Sequence, residues 1–296
     1  MDINADSKEI VNNSFINWLK NKTLQKYFVS LAILEVALAV ILISMMNEAF
    51  ITFAQIEENQ VGLIFDAIIS FYSNLGIFLI PFSIIVVFFS YKIIQVGLKL
   101  TRRKSVELTI ARYIKFFFYP VFASLAAIFS IFDLRYLAIG IVGGLITLIG
   151  GATILVNPGL GVLIAILGFL LMLAYFVIVI INMIKLSLGQ IIFVEKEKSI
   201  FESLKESFVV TKGNVFNLFI LELVFGLIIS IISGVVSLPS TMYIQSLIAT
   251  ITDPTLIFSD LIYQVLLLPT YIVGAYAIIC SNLFIVNIYS KIKSRK

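Results

Sequence analysis

Long apolar runs alternate with short polar links along the chain. Seven runs stand out: Tyr27–Met46, Leu75–Leu98, Phe116–Phe132, Tyr136–Val156, Leu160–Ile184, Val215–Leu238 and Leu261–Tyr289. The first holds 20 residues. At about 1.5 Å per residue that is enough for a helix to cross a hydrocarbon core of about 30 Å. Inside a bilayer a helix satisfies its own backbone hydrogen bonds, so each run predicts a helix. The residues ahead of Tyr27 are polar or amphipathic, without the short basic start and apolar core of a leader. No cleavable signal peptide is expected, and Tyr27–Met46 reads as a retained span.

A second pattern lies in the links. Ser14-Phe-Ile-Asn-Trp-Leu-Lys20, Ser105-Val-Glu-Leu-Thr-Ile-Ala-Arg112 and Ser199-Ile-Phe-Glu-Ser-Leu-Lys205 each begin with a helix-capping residue and soon reach a base. They start 91 and 94 residues apart (14 to 105, 105 to 199). A period near one third of the chain predicts three tandem units, about 1–98, 99–195 and 196–296, within a single integral membrane domain, 1–296. Each unit would hold an amphipathic helix, an outward span, an outer segment and a returning span. Apolar residues recur at spacings of three and four in Val11, Phe15, Trp18 and Leu19, in Val106, Ile110, Tyr113 and Ile114, and in Ile200, Leu204 and Phe208. That spacing places them on one helical face each, suited to lying on the inner leaflet. Ser199-x-x-Glu202 reads as a capping box and Gly213 as a helix stop.

Charge placement orients the runs. Bases gather at the N-terminus (Lys8, Lys20, Lys22, Lys26), at Lys99–Arg112, at Lys196–Lys212 and in the tail (Lys291, Lys293, Arg295, Lys296). Basic loops stay on the cytoplasmic side, so an even number of crossings must separate each cluster from the next. Three runs lie between Arg112 and Lys196, so one of them must not cross. Tyr136–Val156 is the expected exception, because it carries Gly140, Gly143, Gly144, Gly150 and Gly151. Each glycine costs a helix interior about 1 kcal/mol relative to alanine. The other reading has Gly140-x-x-x-Gly144 packing an ordinary membrane helix against a neighbour. The expected fold is all-α: a polytopic transmembrane helical bundle of six spans with three cytoplasmic amphipathic helices. It would sit in the cell membrane with both termini cytoplasmic. Of the 21 Lys and Arg, only Arg135 would fall outside.

Composition narrows the function classes. The chain is 60% hydrophobic and 13% charged, against about 45–50% and about 25% in soluble chains. A soluble domain, a disordered chain and a basic nucleic-acid-binding surface are excluded. With no histidine, histidine-dependent triads, metalloprotease sites and proton relays drop out. Cys280 is the one cysteine, so no internal disulfide forms, and it reads as an apolar filler. No cofactor, metal site or catalytic residue is expected.

Charges inside spans are expensive and therefore candidates for function. Glu35, Lys92 and Glu222 lie within the runs and Lys185 at the end of one, with Asn182 and Asn282 near the same level. One reading joins these six into a polar layer open to the cytoplasm, able to bind a lipid headgroup or a small charged solute. The other lets the lysines snorkel to the interface and the glutamates pair with them. The expected function is a non-enzymatic membrane protein that binds membrane lipids, or a membrane or cytoplasmic protein partner, through its bundle and inner-leaflet helices. The alternative is a small-solute or lipid transporter using the polar layer. An intramembrane enzyme lacks a histidine, paired carboxylates and a Gly-rich phosphate loop.

The stretch Phe193-Val-Glu-Lys-Glu-Lys-Ser-Ile-Phe-Glu-Ser-Leu-Lys-Glu-Ser-Phe-Val-Val-Thr-Lys-Gly-Asn-Val-Phe216 resembles a pattern in a prokaryotic superfamily. That superfamily is named for the membrane domain of glycerophosphoryl diester phosphodiesterase. Its members carry an acidic short loop, a Leu-Lys-x-Ser-aromatic helix and Thr-Lys-Gly-Asn leading into a span. Asn157-Pro-Gly159 is also similar. The resemblance implies a polytopic membrane fold and no particular chemistry. The chain has no room for the soluble phosphodiesterase barrel fused to some members, so that activity is not carried over.

Overall fold

All seven apolar runs are helical in the computed structural model, which describes residues 3–54, 61–250 and 260–294. The helices are α1 (Ile3–Phe15), α2 (Lys22–Ala54), α3 (Val61–Leu100), α4 (Ile110–Ile128), α5 (Arg135–Ile154), α6 (Pro158–Leu186), α7 (Gly189–Glu195), α8 (Ile200–Val210), α9 (Val215–Thr250) and α10 (Leu261–Ser294). A 3-10 turn, Asn17–Lys20, joins α1 to α2. There is no strand among the described residues, and α2, α3, α4, α5, α6, α9 and α10 are each long and apolar enough to cross a membrane. The protein is an all-α, multi-pass integral membrane protein.

The chain divides into two compact units. The N-terminal unit comprises Asn4–Leu100 and Glu222–Asn287. The central unit comprises Thr101–Leu221, with Met1–Ile3 and Ile288–Lys296. The third predicted repeat, 196–296, is thus divided between them.

In the N-terminal unit the first amphipathic stripe is used as a wedge. Phe15 and Trp18 are buried with Leu24 and Leu31 of α2, Ile93 of α3, and Ala275, Ile279, Cys280 and Leu283 of α10. Cys280 is therefore the core filler its apolar surroundings predicted. Leu19, placed on the same stripe by its spacing, stays exposed. Ser14 does not start a helix: it lies in the last turn of α1, where its hydroxyl donates to the Ile10 carbonyl at 2.6 Å. Asn21 does the capping, its Oδ1 accepting from the backbone N–H of Thr23 and Leu24.

The central unit corrects the second amphipathic helix. Residues 103–109 are non-helical, and the Val106 N–H donates to the Val194 carbonyl at 2.8 Å. Thr109, not Ser105, caps the next helix by accepting from the Arg112 N–H. Val106 and Thr109 are β-branched, which favours extended backbone, and the Val194 carbonyl gives that backbone a partner. The third segment forms as predicted. Ser199 and Glu202 make a reciprocal capping box, and Gly213 takes φ +86°, a left-handed stop favouring glycine.

The glycine-rich run expected not to cross is helical too. It forms a continuous 20-residue helix, α5 (Arg135–Ile154), packed antiparallel on α6. Residues that meet across the pair have numbers totalling 315: Gly140 with Tyr175, Thr147 with Gly168, Gly150 with Ala165 and Ile154 with Gly161. The glycines let the two backbones touch, and that close packing offsets their poor helix propensity. α4 behaves differently, because both of its ends return to one segment. At its start, the Arg112 guanidinium lies 4.4 Å from the Phe193 ring centroid and donates to the Phe193 and Lys196 carbonyls. Just past its end, the Phe132 ring lies 5.4 Å from both Phe201 and Phe208 of α8. Ser130, at φ +47°, reverses the chain there. The Tyr175 hydroxyl donates to the Ile128 carbonyl at the end of α4. From Tyr175 α6 runs 17 residues further, back to Pro158, a length of about 26 Å.

Candidate functional site

The start of α2 and the last turns of α3 enclose a cavity of about 430 Å³. Asn21, Thr23 and Tyr27 line one side; Lys92, Gln95 and Lys99 line the other. Lys92 and Lys99 are seven residues apart, two helical turns, and so share a face of α3. Tyr27 stands edge-on to Phe89 at 5.7 Å, and the Lys92 ammonium lies 5.8 Å from the Phe88 ring centroid. Neither lysine takes part in an ion pair among the described residues. Asn282 lies close in sequence level: its amide donates to Ser90 Oγ at 3.4 Å and to the Ile278 carbonyl at 2.8 Å. At the other end of the same helix pair is a cavity of about 510 Å³, lined by Glu48, Thr52, Asp66, Ser70 and Asn74 among others.

The Glu35 carboxyl faces Gly274, its carbon 3.5 Å from where a Cβ would stand. Glu222 lies one turn before Phe225, which stacks on Phe284 at 4.3 Å. Gly274 and Phe284 are ten residues apart, about 15 Å along α10.

Asn182 and Lys185 belong to the central unit and are engaged there. Asn182 donates to Ser130 Oγ at 3.2 Å, holding the left-handed turn after α4. The Lys185 ammonium lies 4.6 Å from the Phe208 ring centroid, and its carbonyl accepts from the Ser207 and Thr211 hydroxyls. The structure thus places Asn182 and Lys185 in the central unit and Glu35, Lys92, Glu222 and Asn282 in the N-terminal unit.

Sequence reasoning missed the polar centre of the central unit. Glu195 has a side chain only 8% exposed, and it accepts from Tyr289 at 2.5 Å, Lys293 at 2.7 Å and Arg103 at 3.3 Å. The only signal was an acidic residue in a lysine-rich link. Nearby, Lys196 and Lys198 both donate to Glu206. Burial works to raise the Glu206 carboxyl, but the two lysine hydrogen bonds outweigh it and hold the group below the usual glutamate range. Asp133 is likewise held low, by its hydrogen bonds from Arg135, and it lies within electrostatic range of Lys185. No cluster of three or more metal-ligating side chains forms among the described residues.

Comparison of the chain with protein-family models, with curated proteins and with solved structures finds no match in any of the three.

Proposed function

We propose that the protein is a non-enzymatic member of the superfamily its Phe193–Phe216 stretch resembles, and that its N-terminal unit binds anionic lipid headgroups at the inner leaflet. The observation that carries this reading is the cavity between α2 and α3. It offers two unpaired ammonium groups, an amide and hydroxyls beside the aromatic ring of Tyr27. Phosphate oxygens match those donors, and the ring and Val96 suit the first carbons of a lipid.

The proposed orientation follows from the behaviour of α4. If both ends of α4 stay on one side, the crossing pairs are α2–α3, α5–α6 and α9–α10. Arg135 then joins the other bases, and all 21 Lys and Arg face the cytoplasm. The count of six crossings is kept, with α4 rather than α5 as the exception. A transport path through one polar layer is the weaker reading, because the six layer residues fall in two units.

The test is binding of the purified protein to vesicles of phosphatidylglycerol and of phosphatidylcholine. A lysine near an anionic surface contributes about 1 kcal/mol. K92Q/K99Q should therefore weaken phosphatidylglycerol binding about 30-fold, with melting and phosphatidylcholine binding unchanged. Equal binding by the variant refutes the site.

A further inference from the structure

Glu35 is a carboxyl group that the lipid cavity does not use. It lies thirteen residues from the start of the 33-residue α2, so it sits well inside a span. Its carboxyl faces the backbone of α10 at Gly274, and no hydrogen bond or ion pair reaches it among the described residues. The lysine pairing expected from sequence is absent. One turn before Gly274 on the same face of α10, the Thr270 hydroxyl is buried and also lacks a partner.

The titratable groups around Glu35 are few. On α10, Tyr271 lies within electrostatic range of Glu35, and Tyr263 within range of Tyr271. On α3, the charged residues are Asp66, Lys92 and Lys99. Asp66 lines the cavity shared with Met45 and Glu48, ten or more residues along α2 from Glu35. Lys92 and Lys99 line the cavity shared with Tyr27, eight residues the other way. At about 1.5 Å per residue both cavities open more than about 10 Å from the carboxyl. On α9, Glu222 is a turn before Phe225, at the Phe284 level of α10.

An unpaired carboxylate inside a span is costly, and the group relieves that cost by taking a proton. A hard cation needs six or more oxygen ligands, whereas a proton needs one. We propose that Glu35 is a proton-binding site of the N-terminal unit: a neutral carboxylic acid within the bundle that exchanges its proton. This is independent of the lipid cavity and places an ionisable ligand site between the two ends of the α2–α3 pair.

The experiment is labelling with dicyclohexylcarbodiimide, followed by peptide mass mapping. The protonated carboxyl adds across one C=N bond: its oxygen bonds to the central carbon and its proton passes to a nitrogen. The acyl group then migrates to nitrogen, leaving a stable adduct of one reagent molecule with nothing lost. Glu35 should be labelled at neutral pH, and less so as the pH rises. Glu206, held ionised by its lysines, should not be labelled. E35Q should melt with the wild-type protein, because Gln replaces a neutral carboxyl of the same shape. An infrared carbonyl band of a protonated carboxyl should be present in the wild type and missing from E35Q. An unlabelled Glu35 in folded protein, or a wild type without that band, overturns the proposal. So does an E35Q variant that fails to fold.

Discussion

Two adjacent glycines on α5 should respond to the same substitution with opposite signs. A Cβ at Gly150 would stand 2.6 Å from Ala165 Cα and 2.9 Å from its Cβ, while nothing lies within 4 Å of one at Gly151. Carbon atoms rest at about 3.5–4.0 Å, so G150A must push the hairpin open by about 1 Å. The obstacle is backbone, which cannot rotate away as a side chain can. Overpacking of this kind costs about 1–3 kcal/mol. Each alanine also gains about 1 kcal/mol of helix propensity. G151A should therefore stabilise by up to about 1 kcal/mol, while G150A nets a loss of about 0–2 kcal/mol. The propensity term cancels in the difference, leaving about 1–3 kcal/mol between the variants. At about 2–4 °C per kcal/mol, that separates their melting midpoints by about 2–12 °C. Circular dichroism at a fixed scan rate in one detergent measures the order of melting. G168A should fall with G150A, since its Cβ would meet Thr147 Cα at 2.8 Å. If G150A melts at or above G151A, the 315 register is wrong.

Three further outcomes follow from the central unit. E195Q should lower the melting midpoint, because breaking a buried pair costs about 3–5 kcal/mol and Arg103 and Lys293 lose their shared partner; melting like wild type would show that the network is slack. The Glu206 carboxyl, lowered by Lys196 and Lys198, stabilises the fold fully above the ordinary glutamate value of about 4.3. That contribution is lost as the pH falls through the lower folded value, so a melting-against-pH series should show an acid limb that E206Q flattens. Reporter tags test the orientation: tags beside Arg103 and Arg135 should read the same side and a tag at Asn157 the opposite one. A reading that separates Arg103 from Arg135 would mean that α4 crosses.

Periodic and compositional signals were legible in sequence because each depends on local chemistry. The apolar runs became helices, the Ser199–Glu202 box capped α8, and Gly213 took the left-handed stop. Signals that needed a partner were misread. Glycine content argued against α5 as a full helix, yet Gly143 and Gly150 let the α6 backbone come close, and that packing offsets their poor propensity. Ser105 resembled a cap, but Val194 offered its neighbour Val106 an extended alternative. Charge parity asks for one exception among three runs. Arg112 and Phe132 both make contact within residues 193–208, and spacing along the chain does not encode that. Among candidate site residues, repeat offsets placed Lys92, Lys185 and Asn282 at one level, whereas Lys185 belongs to the central unit and the other two to the N-terminal unit.

The two units also differ in how far their polar groups are committed, and that difference argues where ligand chemistry lies. In the central unit the residues of the Phe193–Phe216 stretch are engaged with the protein itself. Glu195 holds Arg103, Tyr289 and Lys293; Ser207 and Thr211 close on the Lys185 carbonyl; Gly213 ends α8. Each of these contacts fixes a turn or a helix end, so the stretch is accounted for by the fold. In the N-terminal unit Lys92, Lys99 and Glu35 have no ion-pair partner among the described residues. An uncommitted charge in or beside a bilayer is costly to keep unless something outside the chain balances it. For the two lysines the proposed balance is an anionic headgroup, and for the carboxyl a proton. The polar groups of the central unit are thus engaged within it, whereas those of the α2–α3 pair are the candidates for a ligand.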